Sequence, residues 1–325
     1  MPERSYRLAI FGTGSLASLF AVRLKPHVQL TVFGTWEAQM DAMRNGLTLQ
    51  ETNGEEHTAA IHSASWNTFK GAPFDIILIL TKAHQTPSLA AHAKRWLDQN
   101  SPIARVVTLQ NGAGNIEILA EAVGREYVVG GFTTQAAMMV EPGFVQNTGD
   151  GKIVLEKDEH TPRASEEIAG LLKAAGFPTE VTGNFSTLFW RKLIVNATVN
   201  PLGAILGVPN GFFVSDKAPS DVMRHLTAEA LSVGRAMHVV LPDPASMEQE
   251  IHDICSASAG NHNSMLRDIL RGAATENEAI SGYIVRQAER LGISVPYTHH
   301  AYQLVRQAEN GQLQPGPGHQ LHPTT

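Results

Sequence analysis

The sequence predicts an α/β N-terminal domain built on a mostly parallel sheet, followed by an all-α C-terminal domain. Three observations carry this. The chain opens on a strand–turn–helix–strand unit, continues with unbroken apolar runs of strand length alternating with helix-like sequence, and changes after Thr182-Gly183-Asn184 to long segments of helical periodicity. The domains expected are 1–183 and 184–309, with 310–325 as a tail.

Tyr6 to Phe11 is apolar and of strand length, Gly12 to Gly14 permits a tight turn, Ser15 to Leu24 has helical periodicity, and Val28 to Phe33 is a second strand. Phe74 to Thr81 and Arg105 to Leu109 are continuous apolar runs, as strands buried on both faces require, with helix-like Ser88 to Leu97 between them. Gly130 to Met138 and Gly143 to Leu155 add strands. Turn signals at Glu141-Pro142-Gly143 and Gly149-Asp150-Gly151 suggest that the sheet ends in partly antiparallel pairing. Beyond residue 184 the helices expected are Ser186 to Asn200, Ser220 to His238, Ala245 to Ala257, Thr275 to Leu291 and Thr298 to Ala308. The tail from Asn310 to Thr325 offers almost no apolar anchor and is expected to be disordered.

With 325 residues, the chain has room for two cores, and 43% apolar against 17% charged residues excludes disorder as the dominant state. The 25 basic and 31 acidic residues, net −6, are spread without blocks, so no electrostatic footprint for nucleic acid exists. Cys255 is the only cysteine, which excludes an intrachain disulfide and a thiolate zinc cluster and fits a reducing compartment. The stretch Met1 to Arg7 lacks the apolar run of a secretory signal, and Ile76 to Leu80 falls far short of the ~18 residues that a membrane span needs. A cytoplasmic protein with no membrane partner is expected.

Gly12-Thr13-Gly14-Ser15-Leu16-Ala17 follows a strand and opens a helix. There the bare backbone can approach a pyrophosphate, whose charge meets amide hydrogens and the positive helix end. The bland alternative is a βα turn with no ligand, but the βαβ context favours a dinucleotide. After the second strand, Gly34-Thr35-Trp36 supplies neither the acidic residue usual for NAD nor the Arg usual for NADP. Thr35 is either an N-cap of a helix from Trp36 to Asn45 or a phosphate seat.

Lys192, Asn196 and Asn200 lie four apart on a helix that is apolar nearly all round, so their tips share one face. Burying a Lys and two Asn without partners costs several kcal/mol, so a polar cleft explains them better than a solvated face. A Lys in such a cleft can protonate a carbonyl oxygen as hydride arrives, and amides can hold a carboxylate or hydroxyl.

With these residues identified, the chain resembles the ketopantoate reductase family. The carriers are the glycine turn at 12–17, Thr81-Lys82-Ala83-His84-Gln85, Leu109-Gln110-Asn111-Gly112-Ala113-Gly114, Trp190 to Asn196 with Asn200-Pro201-Leu202, and Asn261 to Ile269 followed by Thr275-Glu276. The resemblance implies an N-terminal Rossmann domain and a helical C-terminal domain. It also implies NADPH-dependent reduction of the C2 ketone of ketopantoate, with Lys192 as general acid and Glu276 as its partner. Asn111, Asn196, Asn200, Asn261 and Ser264 would bind substrate. Gly12, Thr13, Gly14, Ser15, Leu16, Ala17, Thr35, Lys82 and Asn111 would bind the cofactor. Read without the resemblance, Asn261 and Ser264 could cap a helix beginning near Met265, and Thr275 with Glu278 could form a capping box that places Glu276 in a first helical turn.

The chain departs from the family pattern at Gly34-Thr35, where many members carry an Arg, at His84 in place of a larger aromatic residue, and at Gln135 in place of a His. NADPH is therefore favoured with NADH left open, and a paralogue reducing another 2-oxo acid is the main alternative. A catalytically silent dinucleotide-binding sensor is a further one, which loss of Lys192 or Glu276 would have marked. The 14 histidines show no HxxxH or HExxH pattern, so no metal is expected. The apolar helical domain is compatible with a homodimer.

Overall fold

The structure is a computed structural model that describes residues 6–67, 69–157, 159 and 162–323. Met1 to Ser5, read above for the lack of a secretory signal, and the last two residues of the tail lie outside the described residues. The chain divides into two compact units, Met1–Gln110 with Asn115–Phe185, and Asn111–Gly114 with Ser186–Thr325.

The first unit runs β1 (Arg7–Phe11), α1 (Ser15–Leu24), β2 (Gln29–Phe33), α2 (Glu37–Gly46), β3 (Leu47–Gln50), β4 (Glu56–Ala59), β5 (Ser63–Ala64), β6 (Ile76–Ile79), α3 (Thr86–Trp96), β7 (Arg105–Thr108) and α4 (Asn115–Val123). It continues through β8 (Val128–Thr133), β9 (Ala136–Glu141), β10 (Phe144–Gly149), β11 (Ile153–Glu156), α5 (Pro162–Ala174) and β12 (Thr179–Thr182). The main sheet has the order β12-β11-β8-β7-β6-β1-β2-β5 and is parallel except where β11 meets β8. The mostly parallel α/β class expected from the apolar runs is therefore what forms.

Alternation along β1 shows why it is apolar on both faces. Leu8 and Ile10 pack with α1 and α5 residues such as Leu19, Ile168 and Leu172, whereas Ala9 and Phe11 pack with Leu89 and Trp96 of α3 and Leu119 of α4. From β1 the chain moves to β2 on one side and later returns to β6 on the other. That reversal is a switch point, and open α/β sheets take their ligands beyond the C-terminal strand ends at such a point, here those of β1 and β6.

Two of the expected strands are in fact four. Gly130 to Met138 breaks into β8 and β9, and Gly143 to Leu155 into β10 and β11; β9 and β10 leave the main sheet for a second one of order β4-β3-β10-β9. The breaks are paired. Thr134 N donates to the Lys152 carbonyl and Lys152 N to Thr134 Oγ1, so the two crossings between sheets are bonded to each other. Gln135 joins them, donating its side-chain amide to the Gly151 carbonyl, which gives this departure from the family pattern a structural role.

In the second unit, α6 (Phe185–Leu206), α7 (Ser220–Ala236), α8 (Pro244–Ala257), α9 (Ser264–Leu270), α10 (Ser281–Leu291) and α11 (Pro296–Glu309) pack around one apolar cluster. The all-α class expected after residue 184 is what the chain adopts there. Two boundaries differ from expectation by more than two residues. α6 does not stop before Pro201 but runs on to Leu206, because burying Leu202, Ala204 and Ile205 offsets the roughly 3 kcal/mol that an internal proline costs; Gly207, at φ +68°, ends it. α10 starts at Ser281, not Thr275. The Thr275 hydroxyl and amide both donate to Glu309 of α11, and Thr275 Oγ1 accepts from Asn277 N, which holds 275–280 as a turn. The capping box read at Thr275 and Glu278 is therefore absent, and Glu276 stands ahead of the helix.

The tail, expected to lack anchors, is tied down through its described part. Leu313 is buried, Gly316 N donates to the Ile205 carbonyl at 3.0 Å, and His322 lies 3.2 Å from Asp221. Among the described residues no helix is long and apolar enough to cross a membrane, and no cluster of His, Cys, Asp and Glu could hold a metal ion.

Candidate active site

The glycine turn sits at the C-terminal end of β1. Gly12 has φ +131° and donates its amide to the Phe33 carbonyl at 2.8 Å, and a Cβ there would stand 3.1 Å from the Leu80 carbonyl. Both the dihedral and the space demand glycine. Gly14 precedes α1, is exposed, and would meet nothing within 4 Å if it carried a Cβ. An open approach to the amides of a ten-residue helix fits a pyrophosphate, so the residues present fit a dinucleotide. Ala17 is buried and Leu16 packs on the core, so these two shape the turn through packing. Ser15 Oγ accepts from the Met139 amide at 2.9 Å, pinning β9 to the turn.

Thr13 is buried, and its side chain fills the space beside Gly34, where any Cβ would come within 2.4 Å of Thr13 Cγ2. A side chain at residue 34 would have to displace that of Thr13. Thr35 is exposed and does not cap α2; Trp36 occupies the N-cap position without a side-chain bond, since the helix begins one residue later than expected. Lys82 is partly buried and precedes a single 3₁₀ turn, Ala83–Gln85, beyond the end of β6. It shares the sheet's C-terminal edge with Gly12, as β1 and β6 pair in parallel with Phe11 opposite Ile79.

Within the second unit, Lys192, Asn111 and Glu276 come together. Lys192 Nζ donates to Asn111 Oδ1 at 2.6 Å, and Asn111 Nδ2 donates to Glu276 Oε2 at 3.2 Å. The loop and the turn that carry these residues are joined, because Ala113 N donates to the Ala279 carbonyl at 2.7 Å and Gly112, at φ +80°, lies against Ala279 with no room for a side chain. Burial draws the Lys192 ammonium down to about 8, and the Glu276 carboxylate works against that fall. An ammonium titrating near neutrality, with its partners in place, can hold and release a proton.

Asn196 and Asn200 continue the Lys192 face of α6, the first partly buried and the second buried. Asn261 and Ser264, by contrast, are both exposed. The cap of α9 is Asn263, whose side chain accepts from Leu266 N at 3.0 Å while its amide reaches the Val199 carbonyl at 3.4 Å. Neither Asn261 nor Ser264 fills that role. The spacing of Asn263 to the buried Leu266 was the signal available in the sequence. Gln110 was likewise passed over; its buried amide bonds Thr81, Thr86 and Thr108.

Residues 8–159 match the family model described as ketopantoate reductase PanE/ApbA, and residues 184–309 match its C-terminal counterpart. The 2-dehydropantoate 2-reductase of Archaeoglobus fulgidus is 31% identical over 309 residues, spanning 95% of this chain and 99% of that protein. Among solved structures, a PanE/ApbA family ketopantoate reductase from Ralstonia eutropha JMP134 aligns with a TM-score of 0.84 at 28% identity, over 94% of this chain and 99% of that one. D-mandelate dehydrogenase with NADH and anilino(oxo)acetate aligns over the same shares with a TM-score of 0.87 at 22% identity, a likeness of fold. From the two matched halves and a near full-length relative, the chain is a member of the ketopantoate reductase family.

Proposed function

We propose that this chain is a 2-dehydropantoate 2-reductase, reducing the C2 ketone of 2-dehydropantoate to the hydroxyl of pantoate. The observation that carries the reading is the Lys192 ammonium, bonded to Asn111 and drawn to about 8 by burial. A nicotinamide dinucleotide, seated on Gly12 to Ala17 with Lys82 toward its adenosine phosphate, would supply the hydride. Lys192 delivers the proton to the ketone oxygen, Asn111 and Glu276 hold that ammonium in place, and Asn196 and Asn200 orient the carboxylate and hydroxyl of the substrate. Asn261 and Ser264, both exposed and so open to a ligand, complete the set of substrate-binding side chains. Loss of absorbance from NADPH and from NADH, followed with a panel of 2-oxo acids, tests this. Turnover should be fastest with 2-dehydropantoate, and silence across the panel would leave only a dinucleotide-binding protein.

The second reading keeps the chemistry and changes the acid and the cofactor. It is favoured by Gly34 and Thr35, which put no cation after β2. Because Thr13 closes position 34 whereas Thr35 is exposed, Thr35→Arg is the change that can add a phosphate contact. It is expected to raise the NADPH-to-NADH ratio of kcat/KM by about tenfold, as one charge-assisted contact of about 1.4 kcal/mol would. An unchanged ratio would show that residue 35 is remote from the ribose.

A further inference from the structure

We infer that Thr86, Gln110, Thr108 and Asn115 form a buried clamp on the stems of the loop 111–114, which makes Thr86 and Gln110 positioning residues for proton transfer by Lys192. The inference rests on the reductase reading and extends it to side chains that touch neither substrate nor cofactor.

All four side chains are buried, Thr86 completely. Thr108 Oγ1 donates to Gln110 Oε1 at 3.0 Å, and Gln110 Nε2 donates to the Thr81 carbonyl at 3.0 Å and to Thr86 Oγ1 at 2.9 Å. The single Thr86 hydroxyl proton then goes to Asn115 Oδ1 at 2.8 Å, which is shorter than its alternative to Gln110 Oε1 at 3.2 Å. One continuous chain of bonds thus ties the residue before Asn111 to the residue after Gly114. The loop itself has little stiffness, since Gly112 and Gly114 sit at φ +80° and +95°. Its middle is held by Ala113 N on the Ala279 carbonyl. With the stems clamped and the middle pinned, Asn111 Oδ1 is fixed 2.6 Å from Lys192 Nζ. Valine would fill the spaces of Thr86 and Thr108 at lower desolvation cost, so hydroxyls there are explained by what the bonds hold in place.

The test uses the full chain carrying Thr86→Val, Thr86→Ser and Thr108→Val. Thr86→Val is expected to lower kcat about tenfold, an ångström-scale misplacement sufficing for that, with dinucleotide affinity by fluorescence within about twofold of wild type. Lys192, followed by NMR of isotope-labelled lysine, should titrate at higher pH in Thr86→Val as water reaches the loosened site. Thr86→Ser keeps the hydroxyl and should restore both readouts. Thr108→Val, a swap that a strand position accepts, should move both in the same direction by about threefold in kcat, and it serves if Thr86→Val does not fold. Lowered melting temperature with kcat and the Lys192 titration unchanged would overturn the clamp, as would a loss of dinucleotide affinity in step with kcat. Should wild type reduce no 2-oxo acid, the reductase reading fails by itself, and the Lys192 titration still decides the clamp.

Discussion

Lys192→Ala is expected to lower kcat about 10³-fold, the scale of a lost general acid, while dinucleotide binding by fluorescence stays near wild type. The two readouts separate because the glycine turn belongs to one compact unit and Lys192 to the other. The variant also removes the cation that donates to Asn111 Oδ1 and acts on the buried Glu276 carboxylate, so a melting curve should accompany the kinetics. The pH profile provides the sharper check. The acid must be the ammonium, whose pKa stands at about 8, so wild-type kcat/KM should fall about tenfold per pH unit above that value. In Lys192→Arg the charge persists, and that basic limb should vanish from whatever activity remains. Full turnover by Lys192→Ala would remove the lysine from the mechanism.

Glu276→Gln is the second large effect expected. Glutamine keeps the volume and an acceptor for Asn111 Nδ2, so what is lost is the negative charge. That charge holds the lysine up against desolvation, and without it the Lys192 pKa falls below 8. A fall of one pH unit would leave the variant at pH 8 with about a fifth of the wild-type ammonium fraction, and the basic limb would move toward acid. Activity at pH 6 should recover in part. A limb that moves the other way, or a uniform loss at every pH, would make Glu276 a packing residue.

How far these residues were legible follows from their kind of signal. The glycine turn could be read because Gly12 is required by a local dihedral and a close carbonyl, and the β1–α1–β2 order around it is written in adjacent residues. The Lys192 face of α6 was legible through its spacing of four. The sheet crossing at 133–135 was not, and that at 149–152 showed only as the turn signal Gly149-Asp150-Gly151, since the change of sheet is made by bonds between segments far apart in the chain, and a run such as Gly130 to Met138 looks continuous until its partners are known. The start of α10 differs for the same reason: Glu309, thirty-four residues away, takes the Thr275 amide donor that a capping box would have given to Glu278.

By itself, then, the amino-acid order determined the two fold classes, the glycine turn between β1 and α1 and the line of polar tips on an apolar helix, because each depends on periodicity and on neighbours within a turn or two. Only tertiary structure decided that Asn111 stands between Lys192 and Glu276, that Asn263 rather than Asn261 or Ser264 caps α9, and that the lysine titrates near 8. Desolvation and long-range hydrogen bonds arise from residues that folding brings together, and spacing along the chain carries no record of them.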